Sequence, residues 1–201
     1  SIHNFDPMNY LAHLYLSGNN EDVLIGNFIA DSVKGSKYKD YTSKIQQGIL
    51  LHRQIDTHTD AHPNFRTSTK RLHKNYSHYS GVIVDIFFDH FLAKNWSTYT
   101  SISLADYAQH CYTVLNKNIN IMPEKAQYIL PHMTKGNWLL SYASIEGISG
   151  VLSGMNRRTQ GRSRMDRASF ELEQYYSDFE RDFKIVFEDI NQMSAAFLNP
   201  Y

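Results

Sequence analysis

The sequence predicts a compact, single-domain, all-α helical bundle, and three observations carry that reading. Apolar residues recur at three- and four-residue spacing along almost the whole chain, and no alternating strand pattern of useful length occurs. Residues that start and stop helices punctuate it at regular intervals, with no internal repeat or low-complexity segment. At 201 residues the chain is long enough for one sizeable core, and 14 tyrosines and 11 phenylalanines make that core rich in rings.

The elements follow in order. Met8 to Leu16 makes a short helix, closed by the loop chemistry of Ser17-Gly18-Asn19-Asn20. Glu21 and Asp22 put acid in the first turn of a second helix, expected to run to about Lys34 and to stop at Gly35. Thr42 or Ser43 caps a third, reaching at least Thr57, and Pro63 suits the first position of a fourth, to about Asn75. Ser80 is read as the cap of an apolar helix that ends near Trp96. Ser103 with Asp106 resembles a capping box for a helix to about Asn116. Pro123 opens another, broken at Gly136 before Trp138-Leu139-Leu140, and a further helix spans Ile145 to about Arg158. A last helix, from about Ala168 to Leu198, carries an aromatic stripe: Phe170, Tyr175, Phe179, Phe183, Val186 and Phe187. The domain is read as 8–201, with Met8 as a natural start and Ser1 to Pro7 as an extension.

Composition removes several function classes. A formal net charge of zero argues against an extended nucleic-acid surface. The single cysteine, Cys111, excludes an intramolecular disulfide framework and a cysteine-based zinc knuckle, and its helical setting reads as a buried, inert thiol. No apolar run approaches the roughly 20 residues of a membrane span, no signal peptide is visible, and the protein reads as cytoplasmic.

Two segments carry the chemistry: Leu51-His52-Arg53-Gln54-Ile55-Asp56 and Asp85-Ile86-Phe87-Phe88-Asp89-His90. His52 and Asp56 stand four residues apart, as do Asp85 and Asp89, so each pair shares a helix face. One such pair alone is ordinarily a surface hydrogen bond. Asp85 and Asp89, however, lie in a run too apolar for a solvated face, where carboxylates are paired or bound to metal. Crossing helices would offer nitrogen and oxygen ligands to one divalent ion. Asp31, among apolar neighbours on the second helix, and His13, among aliphatics on the first, are further donors; each alone reads as a hydrogen-bonded core residue. Mixed imidazole and carboxylate donors suit Mn²⁺, Fe²⁺, Zn²⁺ or Mg²⁺. A ferritin-like di-iron site fails, because no glutamate is followed by histidine at the Glu-x-x-His spacing. His-Glu-x-x-His and Gly-x4-Gly-Lys motifs are absent too.

The second informative region is Met155 to Arg167, where Arg157, Arg158, Arg162, Arg164 and Arg167 put five arginines in eleven residues. Such a loop is either solvated surface or a clamp for phosphate or an acidic protein, since guanidinium forks match both. Without interleaved aromatics it is no platform for single-stranded nucleic acid.

Four ordered motifs closely resemble acyl carrier protein phosphodiesterases: Met8-Asn-Tyr-Leu-Ala-His13, Gly26-Asn-Phe-Ile-Ala-Asp31, Gly48-Ile-Leu-Leu-His52-Arg53-Gln-Ile-Asp56 through Asp60, and Asp85-x3-Asp89-His90 through Trp96. The resemblance is dense to Trp96 and thinner to Arg158. It implies a divergent helical relative of the HD phosphohydrolases that removes the 4′-phosphopantetheine arm from holo acyl carrier protein, with Mn²⁺ as the expected metal and Mg²⁺ or Fe²⁺ as substitutes. On that resemblance Asp31, His52, Asp56 and Asp89 rank ahead of Asp85, His90, His13 and Asp60 as ligands. Arg53 and Arg158 would neutralise the phosphoryl oxygens, and His13 or His90 would protonate the leaving oxygen. Arg157, Arg158, Arg162 and Arg164 would meet the substrate, an acidic carrier protein. His52 is followed by Arg53 where the strict HD signature has Asp, and Asp89-His90 reverses its adjacent pair. The alternatives are a phosphohydrolase of the same fold acting on a small phosphoester or nucleotide, and a non-enzymatic adaptor binding an acidic partner through the arginine loop.

Overall fold

The structure, a computed structural model, describes residues 9–200; the extension expected at Ser1 to Pro7 and the start at Met8 lie outside the described residues. In chain order the helices are α1 (Tyr10–Leu16), α2 (Glu21–Ile29), α3 (Ser43–Ala61), α4 (Pro63–Tyr76), α5 (Ser80–Lys94), α6 (Trp96–Tyr99), α7 (Leu104–Lys117), α8 (Glu124–Lys135), α9 (Trp138–Ser141), α10 (Ile145–Arg158), α11 (Ser169–Gln174) and α12 (Tyr176–Leu198). No strand occurs among the described residues, as the periodicity predicts.

Local chemistry sets the ends. Asn20 Oδ1 accepts from the backbone N–H groups of Asp22 and Val23, and Ser103 accepts from Asp106 N, each satisfying first-turn donors that lack helical partners. Pro63 occupies the first position of α4, and the His62 ring accepts from Asn64 N. Three expectations shift. The second helix ends at Ile29, because Ala30–Ser32 tightens into a 3-10 turn and Val33 is extended. Ser80 does not cap α5: its hydroxyl donates to Ser77 O. The last helix is two, interrupted at Tyr175 (φ −115°, ψ 30°), which resets the helical phase. Phe170 therefore leaves the apolar stripe and is 70% exposed.

The core is built around α5. Ile83, Val84, Ile86, Phe87, Phe91 and Leu92 are all fully buried there, each contributing about 1.5–3 kcal/mol of transfer free energy. Rings from α12 meet it: Phe87 with Phe179 (centroids 5.1 Å apart) and Phe91 with Phe183 (6.0 Å). Asp182 on α12 is buried yet satisfied, accepting from Arg71 Nη1 (2.7 Å), Ser68 Oγ (2.9 Å) and Asn64 Nδ2 (3.2 Å), which ties α12 to α4. Cys111 is buried and free, and burial pushes its thiol up to about 12, so it is inert at neutral pH. No helix among the described residues is long and apolar enough to cross a membrane.

Helices α2 and α3 meet backbone to backbone. A Cβ added at Gly48 would stand 2.1 Å from Val23 O, and one at Gly26 would stand 2.1 Å from Ile45 O. Only hydrogen at both positions lets the two backbones touch. That contact positions the site, because Asn27 and Asp31 follow Gly26, and His52 and Asp56 follow Gly48 by one and two turns.

Candidate metal centre

His52 is buried on the face of α3 turned to α2. Its Nδ1 lies 2.8 Å from Asn27 Oδ1, and the Asn27 amide is fixed the other way round: Nδ2 donates to His13 O (2.8 Å) and to Ser17 Oγ (2.9 Å). With the amide hydrogens committed, Oδ1 can only accept. His52 Nδ1 therefore carries a proton, and Nε2 is the atom presented to the acids. Asn27 is the functional residue the sequence reading missed. Its signal in the sequence was a lone amide within the apolar run from Val23 to Ile29.

Around Nε2 the acids converge. Asp31 Oδ1, carried on the 3-10 turn after α2, is 3.1 Å from it, and Asp56 Oδ2, one turn along α3, is 3.2 Å away. The other Asp56 oxygen, Oδ1, lies 3.1 Å from His13 Nε2, so one carboxylate bridges two imidazoles. The His13 and His52 rings stack with centroids 3.8 Å apart. Ligand atoms of His13, His52 and Asp56 all lie within 4.8 Å of one another, a spacing that one divalent ion could span. The donors fit such an ion: two imidazole nitrogens and the Asp56 carboxylate, with Asp31 outside that group but 3.1 Å from His52 Nε2, suit a borderline-to-hard cation. The buried His13 Nδ1 also has no hydrogen-bond partner among the described residues.

The protonation states follow from the packing. Burial, then the neighbouring His52, lowers His13, which keeps it neutral and able to act as a ligand. Burial would lower His52 too, but hydrogen bonds to Asp31 and Asp56 outweigh it and hold the ring up to about 10. Burial works to raise Asp56 and Asp31 as well, and their histidine partners overcome it, so both are depressed. His52 is thus a cation in the metal-free protein. Since its folded value lies above its ordinary 6.5, its contribution to stability is whole below that pH and is lost as pH rises toward about 10. A divalent ion must displace that proton. Its apparent affinity is expected to rise about tenfold per pH unit between roughly pH 6.5 and 8.5, with one proton released per ion. Calorimetry in buffers of different ionisation enthalpy measures both, and an affinity indifferent to pH would exclude His52 Nε2 as a ligand atom.

The two α5 carboxylates separate. Asp89 is fully buried, and its oxygens accept from Leu11 N (3.0 Å) and Ala12 N (2.9 Å), the first-turn donors of α1. It serves α1 as a cap supplied from another helix, because Asn9 makes no side-chain cap, and it stands outside the ligand group. Burial pushes Asp89 up to about 8 against those two bonds. Asp85 lines a cavity of about 40 Å³ together with His13, Asp56 and Asp89, and, unlike Asp89, accepts no hydrogen bond among the described residues. Burial, then the charges of Asp56 and Asp60, drives Asp85 well above the usual carboxylate range.

His90 and Arg53 are elsewhere. His90 Nδ1 donates to Tyr142 O and its Nε2 accepts from Tyr176 OH, both at 2.7 Å, so both ring nitrogens are engaged between α5, α9 and α12. Arg53 donates to Val33 O and Gly35 O, each at 3.0 Å, and lies over the Tyr38 ring. It fastens the segment after Asp31. Neighbours in sequence on α3, His52 and Arg53 point to different faces.

A family model described as acyl carrier protein phosphodiesterase matches residues 8–190. The chain belongs to the acyl carrier protein phosphodiesterase family. Among its relatives, a protein from Photorhabdus laumondii named acyl carrier protein phosphodiesterase is 33% identical over 177 residues, 88% of this chain and 89% of that one. Proteins of the same name from Yersinia enterocolitica and Yersinia pestis are each 30% identical, covering 88% and 86% of this chain and 92% and 90% of theirs. No solved structure matches significantly.

The span shared with the family includes the arginine loop as well as the ligand cluster. Arg157 and Arg158 end α10 beside a groove of about 670 Å³ lined by Trp138, Gly147, Gly150 and Gly154. Arg162 is exposed and reaches only Gln160 Oε1 (3.0 Å). Arg164 and Arg167 border a separate pocket at the end of α4. None of the loop arginines lines the cavity beside His13 and Asp56.

Proposed function

We propose that the chain is a divalent-metal-dependent phosphodiesterase that hydrolyses the 4′-phosphopantetheine arm from the serine of holo acyl carrier protein, giving the apo protein. The observation that carries this reading is the convergence of His13, His52, Asp56 and Asp31, in a chain whose relatives bear the name acyl carrier protein phosphodiesterase. Those four residues would hold the ion. The carboxylate share of the set favours a hard cation, Mn²⁺ foremost, with Mg²⁺ or Fe²⁺ as substitutes. When bound, such an ion supplies a Lewis acid that activates water and neutralises phosphoryl charge.

The chain's own residues do the rest. Asn27 holds His52 with its Nε2 facing Asp31 and Asp56, since its Oδ1 accepts the hydrogen bond from Nδ1. Asp56 ties both imidazoles to one point. In the reaction water gives up a proton as its oxygen bonds to phosphorus, the bond from phosphorus to the carrier serine oxygen breaks, and that oxygen takes a proton. Asp85 is the proton-transfer group, because its carboxyl lines a cavity large enough for one or two waters beside Asp56 and has no other partner. The arginine loop docks the acidic carrier, so Arg157, Arg158, Arg162 and Arg164 act in encounter and orientation.

Incubation of the purified protein with Mn²⁺ and holo acyl carrier protein should release the arm, read by intact mass. Asp85→Asn should lower kcat by about 10²–10⁴ while Mn²⁺ affinity stays within a few-fold of wild type. Loss of Mn²⁺ binding in that variant would move Asp85 into the ligand set. Failure of the wild type to convert the carrier, with hydrolysis of bis(p-nitrophenyl) phosphate retained, would leave a phosphodiesterase of another substrate.

A further inference from the structure

We infer that Phe170 is the apolar anchor of the surface that docks the acidic carrier protein, with Arg164 and Arg167 as its charged flanks. This rests on the function proposed above and names the part of the surface that binds the partner. Phe170 is 70% exposed, although its neighbours Met165, Ala168 and Leu172 are fully buried. It borders a pocket of about 480 Å³ together with Arg164, Arg167, Asn75, Tyr76 and Glu171. A large ring in water beside arginines is the composition of a binding hot spot.

The surface is rigid and unpaired. Ser163 N donates to Thr159 Oγ1 (3.2 Å), the Ser163 hydroxyl donates to Asn156 Oδ1 (2.9 Å), and Met165 is fully buried beneath the loop. Arg164 is held at φ +57°, a left-handed conformation uncommon for a residue with a Cβ. Among the described residues, no loop arginine forms an ion pair with an acid of the chain. Glu171, the acid in the pocket, is buried and already engaged by Tyr76 OH (2.7 Å) and Asn75 Nδ2 (3.0 Å). Two exposed arginines on a tied-down loop, bordering one pocket with an exposed ring, thus lack a partner within the described residues. An acidic helix carrying one apolar side chain between carboxylates supplies all three contacts. The pocket stands at the C-terminal end of α4, where Asn75 and Tyr76 border it, and shares no lining residue with the cavity beside His13 and Asp56, so its occupant is a contact apart from the reacting phosphoester, as a protein substrate provides.

Charge and anchor separate by salt. Binding of holo acyl carrier protein should be measured by calorimetry at low and at high ionic strength for the wild type, Phe170→Ser, Phe170→Leu and Arg164→Ser/Arg167→Ser. Phe170→Ser should weaken binding about tenfold or more at both salts, because an apolar contact is not screened, and Phe170→Leu should recover most of it. The arginine pair should lose affinity chiefly at low salt. In turnover the Phe170→Ser loss should appear in KM. The wild-type response of Tm to Mn²⁺ in each variant checks the fold. Unchanged binding by Phe170→Ser, with the wild type binding the carrier, overturns the anchor alone. No binding by the wild type overturns the anchor and the carrier reading together.

Discussion

Asp56→Ala is expected to abolish divalent-ion binding and to lower phosphodiester hydrolysis on the order of a thousandfold, the several kcal/mol of transition-state charge stabilisation that the ion supplies. Asp56 is the residue on which the cluster depends, since its two oxygens meet His13 Nε2 at 3.1 Å and His52 Nε2 at 3.2 Å. No other acid of the site touches both imidazoles. Its side chain is 46% exposed, and His52 keeps Asp31, so the variant should fold. Thermal unfolding separates the ligand role from a structural one. At Mn²⁺ a hundredfold above its dissociation constant, the wild type should gain about 2.7 kcal/mol, or roughly 5–10 °C in Tm for a chain of this size. Asp56→Ala at the same Mn²⁺ concentration should gain nothing. A wild-type shift retained by the variant would exclude Asp56 from the ion.

The largest effect on stability is expected at a residue that touches no substrate. Gly48→Ala places a methyl group 2.1 Å from Val23 O and 2.9 Å from Asn27 N, and both obstacles are backbone of a packed helix. Neither can yield without moving α2. The cost is expected at about 3 kcal/mol or more, the upper range of overpacking, and about 6–12 °C in Tm. The functional consequence should exceed the stability loss. Separating α2 from α3 lengthens Asn27–His52 (2.8 Å) and Asp31–His52 (3.1 Å) together, so Mn²⁺ affinity should fall even where the variant remains folded. Gly81→Ala is the control, since an added Cβ there meets nothing within 4 Å. Its Tm should stay near that of the wild type. Equal behaviour of the two alanines would show that the α2–α3 contact is slack.

How much of this was legible in the sequence depends on the range of the interaction. Helices are local objects, and the residues that begin them act within three or four positions. Ser103 and Pro63 could therefore be read directly, and the four-residue spacing of His52 and Asp56 placed them on one face of α3. Local signals failed where a distant group took over a local task. Asp89 was expected as a ligand, yet it caps α1 from 77 and 78 residues away, because the first-turn N–H groups of that helix have no nearer acceptor. His13 was ranked low and stands in the cluster. Arg53, beside His52 in sequence, fastens Val33 and Gly35 instead.

The sequence by itself determined the all-α class, most helix boundaries and the family, and it offered the imidazoles and carboxylates of the candidate site. The tertiary structure decided which donors meet, which carboxylate of α5 is committed to capping α1, and which arginines border a pocket. The physical reason is that spacing along a helix fixes which residues share a face. What that face meets depends on how closely two helices approach, and here that distance is set by hydrogen in place of a methyl group at Gly26 and Gly48.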